Sequence, residues 1–358
     1  MNWLAVLGPP LGGVMAKFKD AMQAAQVAWK KANVSRLARR PGWHNGKPHQ
    51  HVLPSLLWEE NLWEGIRSGT PDSLPAYLAE HRVQRHTGAH NLMSSWVVCA
   101  NLYFPFRQDL GLLAGFLREH VAPEVLEVTG LELEYQLPEP ELEPSPLLGE
   151  HDGNRGSGQT SPDVAFLVKT KDGRGVILTE SKFTEKSFYP CSARKTGKQK
   201  KGSEGRPPNP TPERCNHALA VVTSAAAECH QHHPEWGRRY WAHLAPVANR
   251  ERFAELKCCP AATNGYQLLR QQALAEGAAS SDKYDLVVSA VAYDARNDVL
   301  QGSLARTGVP SIEGWSGLFI GKARFKTFTH QQWVAWVRRN GRGEWDNWLA
   351  YVLQRYGY

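Results

Sequence analysis

Three side chains near the middle of the chain have the types and spacing for metal-assisted chemistry on a phosphate: Asp163, Glu180 and Lys182. Two short β-rich runs, 164–168 and 176–179, are separated by a segment containing Asp172-Gly173, a strong hairpin signal. Placing Asp172 and Gly173 at the two central turn positions sets Lys171 opposite Arg174. Asp163 then faces Lys182, and Ala165 faces Glu180. Opposed residues share a face, as do residues two apart on one strand. The two acids and the lysine therefore lie on one face at one end of the ribbon, with the carboxylates on diagonal neighbours about 7–8 Å apart. Paired hard oxygen ligands suit Mg²⁺ or Mn²⁺, which keep open positions for water and phosphate oxygens. A neighbouring lysine can orient or deprotonate an attacking water.

The elements that must position this trio can be outlined from periodicity. Residues 14–33, 72–79, 91–102 and 110–121 carry helical character, so the first part of the chain reads as mostly α. Alternation over 125–137 predicts a strand, followed by an acidic, proline-broken loop. Helices are expected at 218–230 and 266–276, a strand at 284–293, and a helical tail from Trp333. The trio's short spacing recurs in Glu255-Leu256-Lys257, but there no β-rich run precedes it. Only the Glu180 copy combines an upstream Pro162-Asp163, a hairpin and a strand. The alternative is a solvent-facing hairpin whose Glu and Lys form cross-strand pairs of small energetic weight.

Ser161-Pro162-Asp163, followed by Val176-Ile177-Leu178-Thr179-Glu180-Ser181-Lys182, resembles the PD-(D/E)XK superfamily of restriction-endonuclease-like proteins. Thr160 before the motif, Phe183-Thr184-Glu185 after it and the Tyr266-Gln267-Leu268-Leu269-Arg270 helix are similar to a bacterial branch of it. The resemblance covers roughly residues 126–299 and implies an α/β fold with a mixed central sheet flanked by helices, beside the mostly helical N-terminal region read from periodicity. Taken together these readings divide the chain into a helical region at 1–123, a nuclease core at 124–300 and a helical extension at 301–358. It further implies a divalent metal held by Asp163 and Glu180, with Lys182 assisting hydrolysis of a phosphodiester in DNA. Many members carry one further acid upstream of the Asp; Glu150 is the first candidate and Glu134 the second. Gln267 and Glu185 are candidate supporting residues. A non-catalytic nucleic-acid-binding module and an RNA-directed nuclease are the competing readings.

The segment 191–215 carries seven Lys or Arg against two Glu and reads as a loop able to contact phosphates, with Lys195, Lys198, Lys200 and Lys201 foremost. Cys191, Cys215, Cys229 and either Cys258 or Cys259, the latter preferred, could supply four thiolates to Zn²⁺ or an iron–sulfur cluster. Buried free cysteines are the simpler account. Trp333 and Trp336, like Trp345 and Trp348, sit three apart, as residues packing into a core do. Lys and Arg outnumber Asp and Glu by 42 to 35, and the resulting +7 favours a polyanionic partner. No run approaches the ~20 apolar residues of a membrane span. Six cysteines in 358 residues are too few for a disulfide scaffold. A cytoplasmic protein is expected, with a homodimer or an accessory protein left open. Neither a phosphate-binding Gly-x-x-x-x-Gly-Lys-Ser/Thr loop nor a His-Glu-x-x-His pair occurs in the sequence.

Overall fold

The computed structural model describes residues 18–194 and 209–358. A small hairpin, β1 (Gly42–His44) with β2 (Lys47–His49), stands apart from a five-stranded sheet. That sheet is built from β3 (Glu127–Leu133), β4 (Val164–Lys169), β5 (Arg174–Lys182), β6 (Leu286–Tyr293) and β7 (Arg324–Thr329), in that spatial order. The first three strands are antiparallel neighbours, whereas β6 runs parallel to both β5 and β7. Every residue of β6 is buried, as its uninterrupted apolar run requires of a central parallel strand. Strand β7, Arg-Phe-Lys-Thr-Phe-Thr, is too polar and too short to stand out in the sequence, and it carries the sheet past residue 300.

Side chains alternate between the two faces of the sheet. Val164, Phe166, Ile177, Val288 and Phe328 enter one core with Trp96, Cys99, Phe116 and Trp333, contributed by the N-terminal and C-terminal helices. Ala165, Val176, Leu178, Val287 and Val291 enter a second core beneath the helix Tyr266–Ser280. The tail indoles belong to the first core: Trp333 and Trp348 are fully buried, and their N–H groups donate to Leu102 O and Asn101 O, each at 2.8 Å. The expected helix at 218–230 is two short ones, Ala218–Thr223 and Ala225–Glu228, because Ser224 leaves helical geometry (φ −143°, ψ 62°).

The β4–β5 register differs from the sequence expectation. Lys169 pairs with Arg174 and Val164 with Thr179, leaving four residues, 170–173, in the turn. The Thr170 hydroxyl accepts from the N–H groups of Asp172 (3.2 Å) and Gly173 (3.1 Å), and the Thr170 N–H donates to Gly173 O at 2.8 Å. With this side-chain cap the ladder closes two residues earlier on β4, at Lys169 instead of Lys171, while Arg174 remains the first paired residue of β5. Carried one step further, the register sets Asp163 opposite Glu180 instead of Lys182. A slip of two keeps every side chain on its face, so the trio still shares one face and the two acids come closer together.

Candidate active site

The acid cluster forms where β3, β4 and β5 end together. The Glu134 N–H donates to Asp163 O at 3.1 Å, continuing the ladder in which Leu133 pairs with Val164. Glu134, Asp163 and Glu180 thus sit side by side on three adjacent strands. Glu134 departs from strand geometry with a left-handed backbone (φ 46°), a conformation costly for a residue with a side chain. The turn is held by Arg155, whose Nε donates to Glu134 O at 3.1 Å, and by Gly156, where an added Cβ would lie 3.2 Å from Glu134 Cγ. The glycine-rich stretch 153–158 therefore shapes the backbone around an acid of the cluster.

Asp163 Oδ2 accepts from the Ser181 N–H at 2.7 Å. Glu180 Oε1 accepts from Lys182 Nζ at 2.7 Å and from Gln267 Nε2 at 3.0 Å, while Gln267 Oε1 accepts from the same ammonium at 2.8 Å. Gln267 lies in the first turn of the helix Tyr266–Ser280 and bridges the acid and the lysine of β5. Its position is fixed in turn by Gln271, whose amide donates to Leu178 O (3.0 Å), Ala290 O (2.9 Å) and Ser289 Oγ (3.1 Å) at the β5–β6 junction. Glu185 caps its own turn, accepting from the Phe183 N–H at 2.7 Å, and its charge acts on Lys182.

Glu150 is not part of this cluster. Its carboxylate, 6% exposed, accepts from the Thr160 N–H (2.5 Å), Thr160 Oγ1 (2.6 Å), Tyr240 OH (2.7 Å) and Arg270 Nε (3.1 Å). Burial by itself would push its pKa up, but the Arg270 cation and these donors outweigh burial and hold it below the ordinary carboxylate range. With its lone pairs engaged, Glu150 ties the 160–163 segment to the helix carrying Gln267. Glu134, the second candidate, is the acid that the fold delivers beside Asp163. Separation along the chain could not rank the two, because the choice rests on how β3 pairs with β4.

Two buried residues with no sequence signal complete the support. His330 Nε2 lies 3.0 Å from Lys182 O, and its Nδ1 lies 2.9 Å from Tyr103 OH. Burial lowers the His330 pKa to about 4, so the ring is neutral and anchors the Lys182 backbone without adding charge. Cys99, wholly buried on the helix Ser95–Tyr103, is pushed well up by burial and by the fields of Asp163, Glu134 and Glu180, which keeps the thiol protonated and unreactive.

The electrostatics test whether a divalent cation fits. Burial, reinforced by the Glu180 charge, pushes Glu134 up to about 8. Burial followed by repulsion from Glu180 and Glu134 raises Asp163 well above its ordinary value. Lys182 is raised above the ordinary lysine range: burial opposes its charge, but Glu180, Glu185 and Asp163 more than compensate. One ammonium thus faces three clustered carboxyls, two of which hold their protons for want of positive charge; a divalent cation would supply that charge to hard oxygen donors and take the place of the protons. Among the described residues, no group of three or more His, Cys, Asp or Glu side chains is already gathered around a single ion's position. Glu180 is turned to Lys182 and Gln267, and Asp163 to the Ser181 N–H.

No curated protein and no solved structure matches the chain. Residues 22–357 match a family model described as restriction endonuclease associating with ARP. The match spans nearly the whole chain, takes in the sheet and both sets of flanking helices, and accords with the α/β restriction-endonuclease-like architecture. The chain belongs to the family of restriction endonucleases associating with ARP.

Proposed function

We propose that this protein is a metal-dependent DNA endonuclease of the PD-(D/E)XK type. The observation that carries the reading is the row of Glu134, Asp163 and Glu180 across three strand ends, with Lys182 hydrogen-bonded to Glu180 and braced by Gln267. Asp163, Glu180 and Glu134 would hold Mg²⁺ or Mn²⁺, and such an ion supplies Lewis-acid stabilisation of charge developing on the phosphate. Lys182, kept protonated by its three acidic neighbours, places a fixed cation beside the scissile group and orients the attacking water. Gln267 keeps that cation and Glu180 in one geometry, while Glu150 and Arg270 hold the segment leading into Asp163.

Substrate and setting follow from the family and the charge. A restriction endonuclease acts on DNA, and the net charge of +7 favours a polyanion. Lys195, Lys198, Lys200 and Lys201, assigned to phosphate contacts, lie outside the described residues. The family description names an association with ARP; we infer such a partner for this chain, in a setting of phage defence or DNA repair. No helix among the described residues is long and apolar enough to cross a membrane, and we place the protein in the cytoplasm.

Plasmid nicking with Mg²⁺ or Mn²⁺ tests the reading directly. Wild type is expected to cut and to stop in EDTA, while Asp163→Ala, Glu180→Ala and Lys182→Ala keep their fold and lose cleavage. Equal cleavage by wild type and all three variants refutes the assignment. Binding in EDTA with no cutting under any metal would identify a non-catalytic binding module, and preferential digestion of matched RNA an RNA-directed enzyme.

A further inference from the structure

On the side of the sheet covered by the helix Tyr266–Ser280, four cysteines from four separate stretches line one small cavity: Cys191, Cys215, Cys229 and Cys259. All are free thiols, and among the described residues no charged side chain shares the lining. Cys258, adjacent in sequence, is not part of it. The stretches are laced together at the cysteines themselves. The Cys259 N–H donates to Cys215 O at 2.7 Å, and the Cys191 N–H donates to Ala261 O at 2.9 Å.

The Gln231 side-chain amide, itself buried, donates to Cys191 Sγ at 3.1 Å. A neutral thiol is a weak acceptor, whereas a thiolate accepts N–H bonds strongly.

The rest of the lining is uncharged, so four thiols drawn from separate stretches can ionise together there only when a metal supplies the positive charge. We propose that Cys191, Cys215, Cys229 and Cys259 form a four-thiolate site for a thiophilic metal centre, Zn²⁺ or an iron–sulfur cluster. The sulfurs ring the cavity and do not yet converge on one ion's position, so loading draws them inward. The centre would staple the stretches that carry these four cysteines onto the helix bearing Gln267 and Arg270, where the Gln267 N–H already donates to Phe188 O at 2.9 Å. The site is independent of the nuclease reading, since its ligands lie outside the acid cluster.

The test is elemental analysis of the full-length protein purified anaerobically, with acid-labile sulfide and the visible spectrum recorded on the same sample. About one zinc per chain identifies the single ion; about four irons with matching sulfide and absorbance near 400 nm identify the cluster. Cys191→Ser and Cys259→Ser are expected to lower metal content several-fold, with Cys258→Ser and Cys99→Ser as controls that retain it. Wild type isolated with neither metal, and taking up neither on reconstitution, overturns the site. Full metal content in Cys191→Ser and Cys259→Ser overturns the ligand assignment. The wild-type measurement decides the first point even if a variant fails to fold.

Discussion

Replacing Glu134 by Gln separates the charge of this acid from its shape. In the metal-free protein Glu134 holds its proton up to about pH 8, against an ordinary value of 4.5. Between those limits the native state binds a proton that the unfolded chain has released, so stability falls as pH rises through this window and the loss is complete above about 8. At 1.36 kcal/mol per unit the shift corresponds to about 5 kcal/mol. Relaxation and water entry around a buried carboxyl reduce the effective figure to the order of 2–4 kcal/mol. Gln carries no charge at any of these values, so Glu134→Gln should be more stable than wild type by that amount at pH 8 in EDTA, and nearly equal to it at pH 5. Urea denaturation at several pH values between 5 and 8.5 measures this, with matching m-values confirming that only stability has changed. Mg²⁺ or Mn²⁺ should recover more stability in wild type at pH 8 than at pH 6, because the cation replaces the protons. The variant should respond weakly to either ion and lose cleavage. Parallel pH profiles for wild type and Glu134→Gln would refute the placement of Glu134 in a charge-crowded site.

Glu150→Gln and Arg270→Met each break one half of a buried ion pair that holds the segment leading into Asp163, so each should cost about 3–5 kcal/mol in chemical denaturation. Their cleavage defect should appear at permissive temperature as lowered kcat with metal affinity nearly unchanged, whereas a large loss of metal affinity would return Glu150 to the ligand set. Changing Lys195, Lys198, Lys200 and Lys201 together to Ala should weaken DNA binding and flatten the dependence of log K on log salt by about 3.6 if each lysine meets one phosphate, which binding isotherms at several salt concentrations would read. An unchanged slope would remove these lysines from the DNA contact. Gln267→Leu, which deletes the bridge between Lys182 and Glu180, should lower kcat by about 10- to 100-fold with little change in stability. Wild-type kcat in this variant would leave Gln267 an ordinary helix residue.

How much of this was legible beforehand follows from which interactions are local. The alternation in 164–168 and 176–179 set the faces of β4 and β5, and face assignment survives a register slip of two because the strand period is two. Asp163, Glu180 and Lys182 therefore fell on one side of the sheet even though the turn was drawn two residues too short. The Thr170 hydroxyl that closes the longer turn acts through its neighbours' amides, and Asp-Gly alone does not report it. The uninterrupted apolar run of β6 marked a strand, but its parallel pairing on both edges depends on crossovers that bring distant segments together.

Sequence by itself settled residue types and local periods: an acid–acid–lysine trio on a ribbon, a helical start, four cysteines available as ligands, and indoles spaced for a core. Tertiary structure decided among equals. Eight glutamates between 124 and 150 offer the same carboxylate. Only the pairing of β3 with β4 carries Glu134 to Asp163, while Arg270, Tyr240 and Thr160 claim Glu150. Likewise Cys258 and Cys259 are one residue apart, and the fold turns one of them toward the shared cavity. The physical reason is the same in both cases: a side chain's chemistry belongs to its type, but its charge state and its partners are set by groups far away in the chain that only folding brings within a few ångströms.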